Sequence, residues 1–397
     1  MFEGSSIAVV VPCFKEETQI RGVIETMPAF VDRIIVVDDR SPDTTAEVVR
    51  ECMRTYPNVE LLVHEENRGV GAAIATGYKR ALELDMDIAV VMAGDGQMPP
   101  GELADIIRPV SSGEADYSKA NRLVTQDAWT TIPRQRFLGN AVLSLLTKIA
   151  SGYYQVADSQ TGYTAITAAM LRRLDLDAMY PRYGYPNDML VRLNVLRARV
   201  VDVASVPVYD VGEVSGIKIH RVLFTMSWLL LKRFIWRLWK LYVVRDFHPL
   251  VMFYVLGMLA LVTGTISSLA LVIYSIGPET VSGSTAVGAS ILLQSGLLLT
   301  LFGMLFDFEH NRPLVSESRP VHLDADRVTH APIRASIESA PLDPDGGHRP
   351  PTATTIDQEL ARERTEHHEP ELRTGRVDLL GPQLSSAGID GVSDPRD

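Results

Sequence analysis

Met92-Ala93-Gly94-Asp95-Gly96-Gln97-Met98-Pro99-Pro100 follows directly on the apolar run that begins at Ile88, and it places a carboxylate and an amide just past that run. A short apolar segment ending at Met92 and bounded by Gly and Pro breakers predicts a buried strand. In an open α/β sheet, ligands bind in the crevice outside the carboxyl ends of the strands, so Asp95 and Gln97 are expected to project into a cleft. Two oxygen ligands separated by one residue suit a hard cation, Mg²⁺ or Mn²⁺, with water and phosphate oxygens filling its other positions. The same residues equally make an Asx turn ahead of a helix at Glu102 to Val110, and taken alone the stretch favours the turn.

The residues upstream repeat the pattern. Ile7 to Val11 is a predicted strand, followed by a helix from Glu16 to Met27. Ile34 to Val37 is a second strand and ends in Asp38-Asp39. The next helix, Thr44 to Thr55, opens with Ser41-Pro42-Asp43 and has Thr44 and Glu47 at capping-box spacing. Val59 to Val63 and the helix Gly69 to Leu84 come before the strand at Ile88. This βαβαβαβ alternation predicts a Rossmann-like α/β fold, its mostly parallel sheet covered on both faces with right-handed crossovers. Three strand ends carry polar groups: Pro12-Cys13-Phe14-Lys15-Glu16, Asp38-Asp39-Arg40-Ser41 and Asp95-Gly96-Gln97. Asn67-Arg68-Gly69-Val70-Gly71 adds a glycine-rich helix entry where backbone N–H groups and Arg68 could meet a diphosphate, or where the helix is simply capped. Its glycine spacing matches neither the dinucleotide fingerprint nor the P-loop, so neither a nicotinamide enzyme nor a P-loop NTPase is supported.

A length of 397 residues allows two domains, and a formal net charge of -11 argues against a general nucleic-acid binder. The two cysteines, Cys13 and Cys52, suggest a reducing compartment and no disulfide framework. No basic region followed by an apolar signal segment opens the chain, so the first domain is expected in the cytoplasm.

Val10-Val11-Pro12-Cys13-Phe14-Lys15-Glu16-Glu17, Val36-Val37-Asp38-Asp39-Arg40-Ser41-Pro42-Asp43, Asn67-Arg68-Gly69 and Gly94-Asp95-Gly96-Gln97 resemble, in order, the motifs of family 2 glycosyltransferases of the GT-A fold. Within that family the likeness is to polyprenyl-phosphate sugar transferases of the dolichol-phosphate mannose synthase type, over about residues 5 to 220. The resemblance implies that Pro12, Phe14, Glu16 and Asp39 line a nucleotide pocket, Asp39 facing the base, and that Arg68 and Asp95 contact the nucleotide sugar. Asp95 and Gln97 would hold Mg²⁺ or Mn²⁺ on the donor diphosphate. One departure matters: the family usually has an acidic residue where this chain has Ala93. That loss weakens the cation site, leaves more coordination to the diphosphate, or marks an inactive enzyme.

Further along, Asn121-Arg122 follows a short predicted strand, and Arg134, Arg136 and Asn140 lie around the start of a helix running to about Ser151. The resemblance makes Arg122 and Arg136 ligands of an acceptor phosphate, with Asn140 on the same helix face as Arg136. Asp158-Ser159-Gln160-Thr161-Gly162-Tyr163 resembles the family's Asp-x-x-Ser-Gly-Phe turn, which places Asp158 near the metal or sugar. Tyr185-Pro186-Asn187-Asp188 sits where relatives carry an acidic pair, and the resemblance makes Asp188 a catalytic base for a hydroxyl acceptor or a sugar-orienting group for a phosphate acceptor. A strand at Val200 to Val208 and Lys218, a residue that could approach a diphosphate or headgroup, complete the likeness.

The chain then changes character. Phe224, Trp228, Leu231, Ile235, Leu238, Trp239 and Tyr242 share one helical face, with Arg233, Arg237 and Lys240 opposite, as expected of a helix lying in a membrane interface with its cations near anionic lipid. Leu250 to Ile276 is uncharged for 27 residues, about 40 Å of helix against a hydrocarbon core of about 30 Å. A second apolar run spans Ala286 to Phe306. Lys232, Arg233, Arg237, Lys240 and Arg245 precede the first run, whereas the connection holds Glu279 and no Lys or Arg, which predicts a hairpin with both ends cytoplasmic. From about Asn311 the composition predicts a disordered cytoplasmic tail.

The expected organisation is therefore a GT-A domain over residues 1–220, an interfacial helix over 221–246, two transmembrane helices over 247–308 and a tail over 309–397. The expected protein is a multi-pass cell-membrane transferase that uses a UDP- or GDP-sugar donor and a polyprenyl phosphate acceptor, binds the lipid bilayer and no nucleic acid, and has an open oligomeric state. A family 2 transferase acting on a sugar hydroxyl of a lipid-linked glycan and a catalytically silent nucleotide-sugar-binding membrane protein are the alternatives.

Overall fold

Alternating burial builds the domain from its central strand outward. In the computed structural model, which describes residues 1–123, 134–206, 219–277 and 282–315, the first strand is β1, Ile7–Cys13, and it is buried throughout. Successive side chains of a strand point to opposite faces. Ile7, Val9 and Val11 join a core with Val23 and Ile24 of α1 (Ile20–Glu25), Val49 and Cys52 of α2 (Thr45–Thr55), and Leu103, Ile106 and Ile107 of α4 (Leu103–Ser111). Ala8 and Val10 join a second core with Ile74 and Tyr78 of α3 (Val70–Glu83) and Met189 and Leu190 of α7 (Tyr185–Val195). The sheet is thus covered on both faces, and Cys13 and Cys52 are buried free thiols. Helix α3 approaches β1 so closely that a Cβ on Gly77 would lie 2.2 Å from Val10 Cγ1.

The remaining strands are β2 (Arg33–Asp38), β3 (Val59–Val63), β4 (Ile88–Val91), β5 (Tyr117–Asn121), β6 (Thr164–Thr167) and β7 (Val200–Ala204), and the sheet order is β3-β2-β1-β4-β6-β5-β7. β2 and β4 flank β1 in parallel, β3 is parallel to β2, and β7 is parallel to β5. β6 runs antiparallel to both β4 and β5. The sheet is therefore mixed, and β6 is the element that the run of βα units did not announce. Because the chain leaves β1 towards β2 and returns on its other side as β4, the topological switch lies between β1 and β4, where such sheets bind ligands.

Several predicted boundaries shift. The helix expected from Glu16 begins only at Ile20, after a turn. The capping box at Thr44 does not form: the Thr44 hydroxyl and backbone N–H both donate to Glu17 Oε2, at 2.6 and 3.1 Å, which ties the β1 loop to the start of α2. The strand expected to reach Val208 ends at Ala204. Residues 207–218 and 316–397, with Lys218 and nearly all of the expected tail, lie outside the described residues.

After the short α6 (Ala168–Leu171) and α7, helix α8 spans Ile219–Trp239 and passes into a π-helical turn, Lys240–Arg245. Phe224, Trp228, Leu231, Ile235 and Trp239 form an exposed apolar stripe. The basic residues do not form the solvated opposite face expected of them. Arg237 is fully buried in an ion pair with Asp307, at 2.6 Å, and Arg233 reaches Asp188 at 2.5 Å, while Lys232, Lys240 and Arg245 remain exposed. Tyr242 also departs from the predicted stripe, because the wider π turn rotates it inward, where its hydroxyl donates to Asp307 at 2.6 Å.

Helices α9 (Leu250–Ser275) and α10 (Gly283–Asn311) are long and apolar enough to cross a membrane, and few of their apolar side chains are buried. They meet through small residues. A Cβ on Gly264 would lie 2.6 Å from Leu293 N, and one on Gly296 2.3 Å from Leu261 N, so these glycines let the two backbones approach closely. The last turns of α10 leave this apolar environment: Asp307 and Asn311 are buried against Arg237, Tyr242 and Asn194.

Candidate active site

The carboxyl ends of β1, β2 and β4 are laced together by backbone and hydroxyl contacts. Asp39 N donates to Cys13 O at 2.9 Å, Lys15 N to Ser41 Oγ at 3.0 Å, and Glu16 N to Thr45 Oγ1 at 2.9 Å. Lys15 and Arg40 adopt φ of 65° and 60°, left-handed values uncommon for side chains other than Gly, Asn and Asp, so both turns are held by these contacts. Gly94 N donates to Pro12 O at 3.3 Å, and a Cβ there would lie 2.6 Å from Cys13 Sγ. A glycine is what lets the β4 loop close over the end of β1.

Within this crevice Pro12 is buried and Phe14 presents a ring that is 42% exposed. Glu16 is half-buried, and burial, followed by the neighbouring charges of Asp95 and Asp43, raises its carboxyl to about 7. Asp95 Oδ1 accepts from Gln97 N at 3.0 Å, so the Asx turn weighed from the sequence does form, with Gly96 at φ 73°. The turn leaves both Asp95 and Gln97 partly exposed at the strand end. Among the described residues, no group of three or more His, Cys, Asp or Glu side chains could hold a metal ion by itself.

Asp39 does not face outward as expected. It is buried, and its carboxylate accepts from Arg68 N at 2.8 Å, Gly69 N at 2.7 Å and His64 Nδ1 at 2.7 Å. Two carboxylate oxygens with three protein donors form the support for the glycine-rich turn. Gly69 there has φ of 97°, and a Cβ on it would lie 2.4 Å from Pro181 O. The Arg68 side chain is exposed on this turn. His64 escaped the sequence reading because a lone histidine after a strand carries no spacing signal.

On the other side of β4, Arg122 and Asp158 are together. Arg122 Nε donates to Asp158 Oδ2 at 2.8 Å and Nη2 to Oδ1 at 3.3 Å. Burial alone would raise the Asp158 carboxyl, but the Arg122 guanidinium, seconded by Lys119, holds it below the ordinary carboxylate range. Lys119 is itself fully buried and donates to the Asp158 carbonyl oxygen. Helix α5, Arg134–Ser151, carries Arg136 and Asn140, whose side chains lie outside the described ones.

Asp188 is buried beneath the segment Tyr180–Pro181 that packs on the glycine-rich turn. It is 0% exposed, with Arg192 Nε at 2.8 Å, Arg233 Nε at 2.5 Å and Tyr180 N at 2.8 Å around its carboxylate. A carboxylate so enclosed and so paired is a structural anchor between α7 and α8.

Comparison with known proteins supplies the family. Residues 8–178 match the profile described as Glycosyl transferase family 2. The chain is 30% identical over 215 residues to the UDP-N-acetylglucosamine--dolichyl-phosphate N-acetylglucosaminyltransferase of Methanococcus voltae, covering 51% of this chain and 84% of that one. The chain belongs to glycosyl transferase family 2. This glycosyltransferase is also 30% identical to the undecaprenyl-phosphate mannosyltransferase of Micrococcus luteus over 207 residues, 50% of this chain and 81% of that one. Among solved structures, glucosyl-3-phosphoglycerate synthase from Mycobacterium tuberculosis, in complex with Mn²⁺, UDP and glucosyl-3-phosphoglycerate, matches at 20% identity with a TM-score of 0.43, over 59% of this chain and 80% of that one.

Proposed function

We propose that this glycosyltransferase moves a sugar from a UDP- or GDP-sugar to a polyprenyl phosphate at the cytoplasmic face of a membrane, with inversion. The observation that carries the proposal is the union of two features in one unit: a polar crevice at the β1/β4 switch point, and two uncovered apolar helices whose end is fastened into the same domain by Arg237 and Asp307. A polyprenyl tail stays in the bilayer, so its transferase must work at the bilayer surface. The exposed stripe of α8 suits the headgroup region, and Lys232, Lys240 and Arg245 lie exposed ahead of α9 while the connection between α9 and α10 holds no Lys or Arg, which supports a hairpin with both ends cytoplasmic.

On this reading Phe14 offers its ring to the base, Pro12 and Glu16 border the nucleotide, and the exposed Arg68 side chain on the turn that Asp39 holds meets the diphosphate. Asp95 and Gln97 are oxygen-bearing side chains left partly exposed at the strand end, a donor set that fits a hard cation such as Mg²⁺ or Mn²⁺. Asp95 and Gln97 would hold it together with donor oxygens, Ala93 contributing nothing. Bound there, the cation would neutralise charge on the departing nucleotide diphosphate. Arg122, with Arg136 and Asn140, holds the acceptor phosphate, and Asp158 aims Arg122. A phosphate oxygen attacks the anomeric carbon in line as the bond to the diphosphate breaks. An acceptor that is already anionic needs no general base, and on this reading Asp188 serves to anchor α7 to α8.

The test is to offer the purified protein, in lipid nanodiscs, a polyprenyl phosphate, the matching polyprenol and a lipid-linked glycan with the same donor. Transfer to the phosphate alone is expected. Transfer to either hydroxyl acceptor but not to the phosphate would overturn the proposal.

A further inference from the structure

His64 follows β3 and is buried between two elements of the nucleotide end of the crevice. Its backbone N–H donates to Asp38 O at 2.9 Å, its Nδ1 lies 2.7 Å from Asp39 Oδ1, and its Nε2 lies 3.0 Å from Thr76 Oγ1 on α3. An ionised carboxylate only accepts hydrogen bonds, so Nδ1 carries the proton and donates it to Asp39. Asp39 passes the constraint on, since the same carboxylate accepts from Arg68 N and Gly69 N, and Asn67 Nδ2 donates to its backbone carbonyl at 3.2 Å. The turn so fixed presents Arg68 and starts α3. The imidazole thus spans the gap between the start of the turn at β3 and the second turn of α3, with Asp39 as the pivot.

We infer that His64 is a positioning residue for donor binding, acting through Asp39 to hold the Asn67–Gly69 turn in the geometry that receives the nucleotide diphosphate. The inference rests on the reading of this crevice as the donor site. It adds a residue that touches neither the donor nor the acceptor and whose effect is confined to the nucleotide end. With the Nδ1–H donor gone, the Asp39 carboxylate is left buried with one partner fewer, and the turn that it organises loses one support.

The test compares His64→Leu, which keeps the bulk and removes the donor, with His64→Asn, whose amide nitrogen can occupy the place of Nδ1. Binding of UDP and GDP is measured by calorimetry on the full chain in detergent, alongside thermal unfolding and steady-state kinetics with the donor varied. The expected result for His64→Leu is a rise of about tenfold in the Kd of the bound nucleotide and in donor KM. Its kcat should change less than about twofold, and His64→Asn should recover most of the affinity. A folded His64→Leu protein with unchanged nucleotide Kd would overturn the inference and leave His64 as a packing residue, even if its unfolding temperature fell. A fall in kcat at unchanged donor KM would overturn it too. Wild-type protein that bound neither nucleotide would instead remove the donor-site reading, and this inference with it.

Discussion

The buried pair Arg237–Asp307 gives the sharpest energetic prediction. Asp307 accepts from Arg237 at 2.6 and 3.0 Å, from Tyr242 Oη at 2.6 Å, from Tyr154 Oη at 3.1 Å and from Asn311 Nδ2 at 2.9 Å, with both members of the pair wholly buried. Asp307→Leu leaves a buried guanidinium without its counter-charge and the hydroxyls of Tyr242 and Tyr154 without this acceptor, while Asn311 Nδ2 keeps the backbone carbonyl of residue 307. Removing one member of a buried pair costs about 3–5 kcal/mol, and the loss of the acceptor for those hydroxyls places Asp307→Leu at the upper end. Arg237→Met costs less, because the Asp307 carboxylate keeps Tyr242, Tyr154 and Asn311. The double variant removes both charges and is predicted to recover much of the loss, since a buried pair replaced by apolar side chains is often near neutral. Thermal unfolding in detergent reads the effect as a fall on the order of 10 °C for Asp307→Leu. Additive losses in the double variant, or a change below about 1 kcal/mol for Asp307→Leu, would refute the reasoning that this pair fastens the end of α10 to the domain.

Three further outcomes follow from the geometry. Gly77→Ala places a methyl 2.2 Å from Val10 Cγ1, and the overpacking between α3 and β1 is expected to cost about 1–3 kcal/mol, read as a lowered unfolding midpoint; an unchanged midpoint would mean that α3 can withdraw from the sheet freely. The Glu16 carboxyl, raised from 4.5 to about 7, keeps its proton in the folded chain over a range where the unfolded chain has lost it. Its contribution to stability therefore falls as pH rises from about 4.5 to about 7, and Glu16→Gln should show a smaller drop in unfolding temperature across that range than wild type; equal drops would count against a Glu16 carboxyl raised by burial and by the charges of Asp95 and Asp43. Trp228 and Trp239 on the exposed stripe of α8 should be quenched by shallowly brominated lipids in vesicles, and Trp228→Phe should remove part of that quenching, whereas quenching insensitive to both tryptophans would place the stripe away from lipid.

The runs of Val and Ile that became β1, β2 and β4 were legible because a strand buried on both faces is largely apolar, and the polar residues after these runs located the crevice. β6 was not legible: Thr164–Thr167 is four residues long, and its antiparallel place between β4 and β5 depends on partners far away in the chain. The two long apolar helices were visible in length and lack of charge, while the inward turn of Arg233 and Arg237 was not. A helical wheel separates apolar from basic faces but does not say which face meets the protein, and here the carboxylates of Asp188 and Asp307 decide it. The same limit explains Asp39 and Asp188. Motif position suggested that both face a ligand, and only their hydrogen-bond partners show that one supports a turn and the other joins two helices. Thr44 makes the point locally, since its spacing to Glu47 suited a capping box but Glu17, brought in by the β1 loop, accepts its hydroxyl instead.

The most direct measurement is transfer of labelled sugar from a panel of UDP- and GDP-sugars to dolichyl or undecaprenyl phosphate, with Mg²⁺ or Mn²⁺ supplied or chelated, for the wild type and Asp95→Asn. The account predicts a chloroform-soluble, mild-acid-labile product from one donor, dependent on the cation and reduced by more than about a hundredfold in Asp95→Asn. Nucleotide binding with no lipid-linked product from any donor, or a product formed equally well by Asp95→Asn, would contradict it.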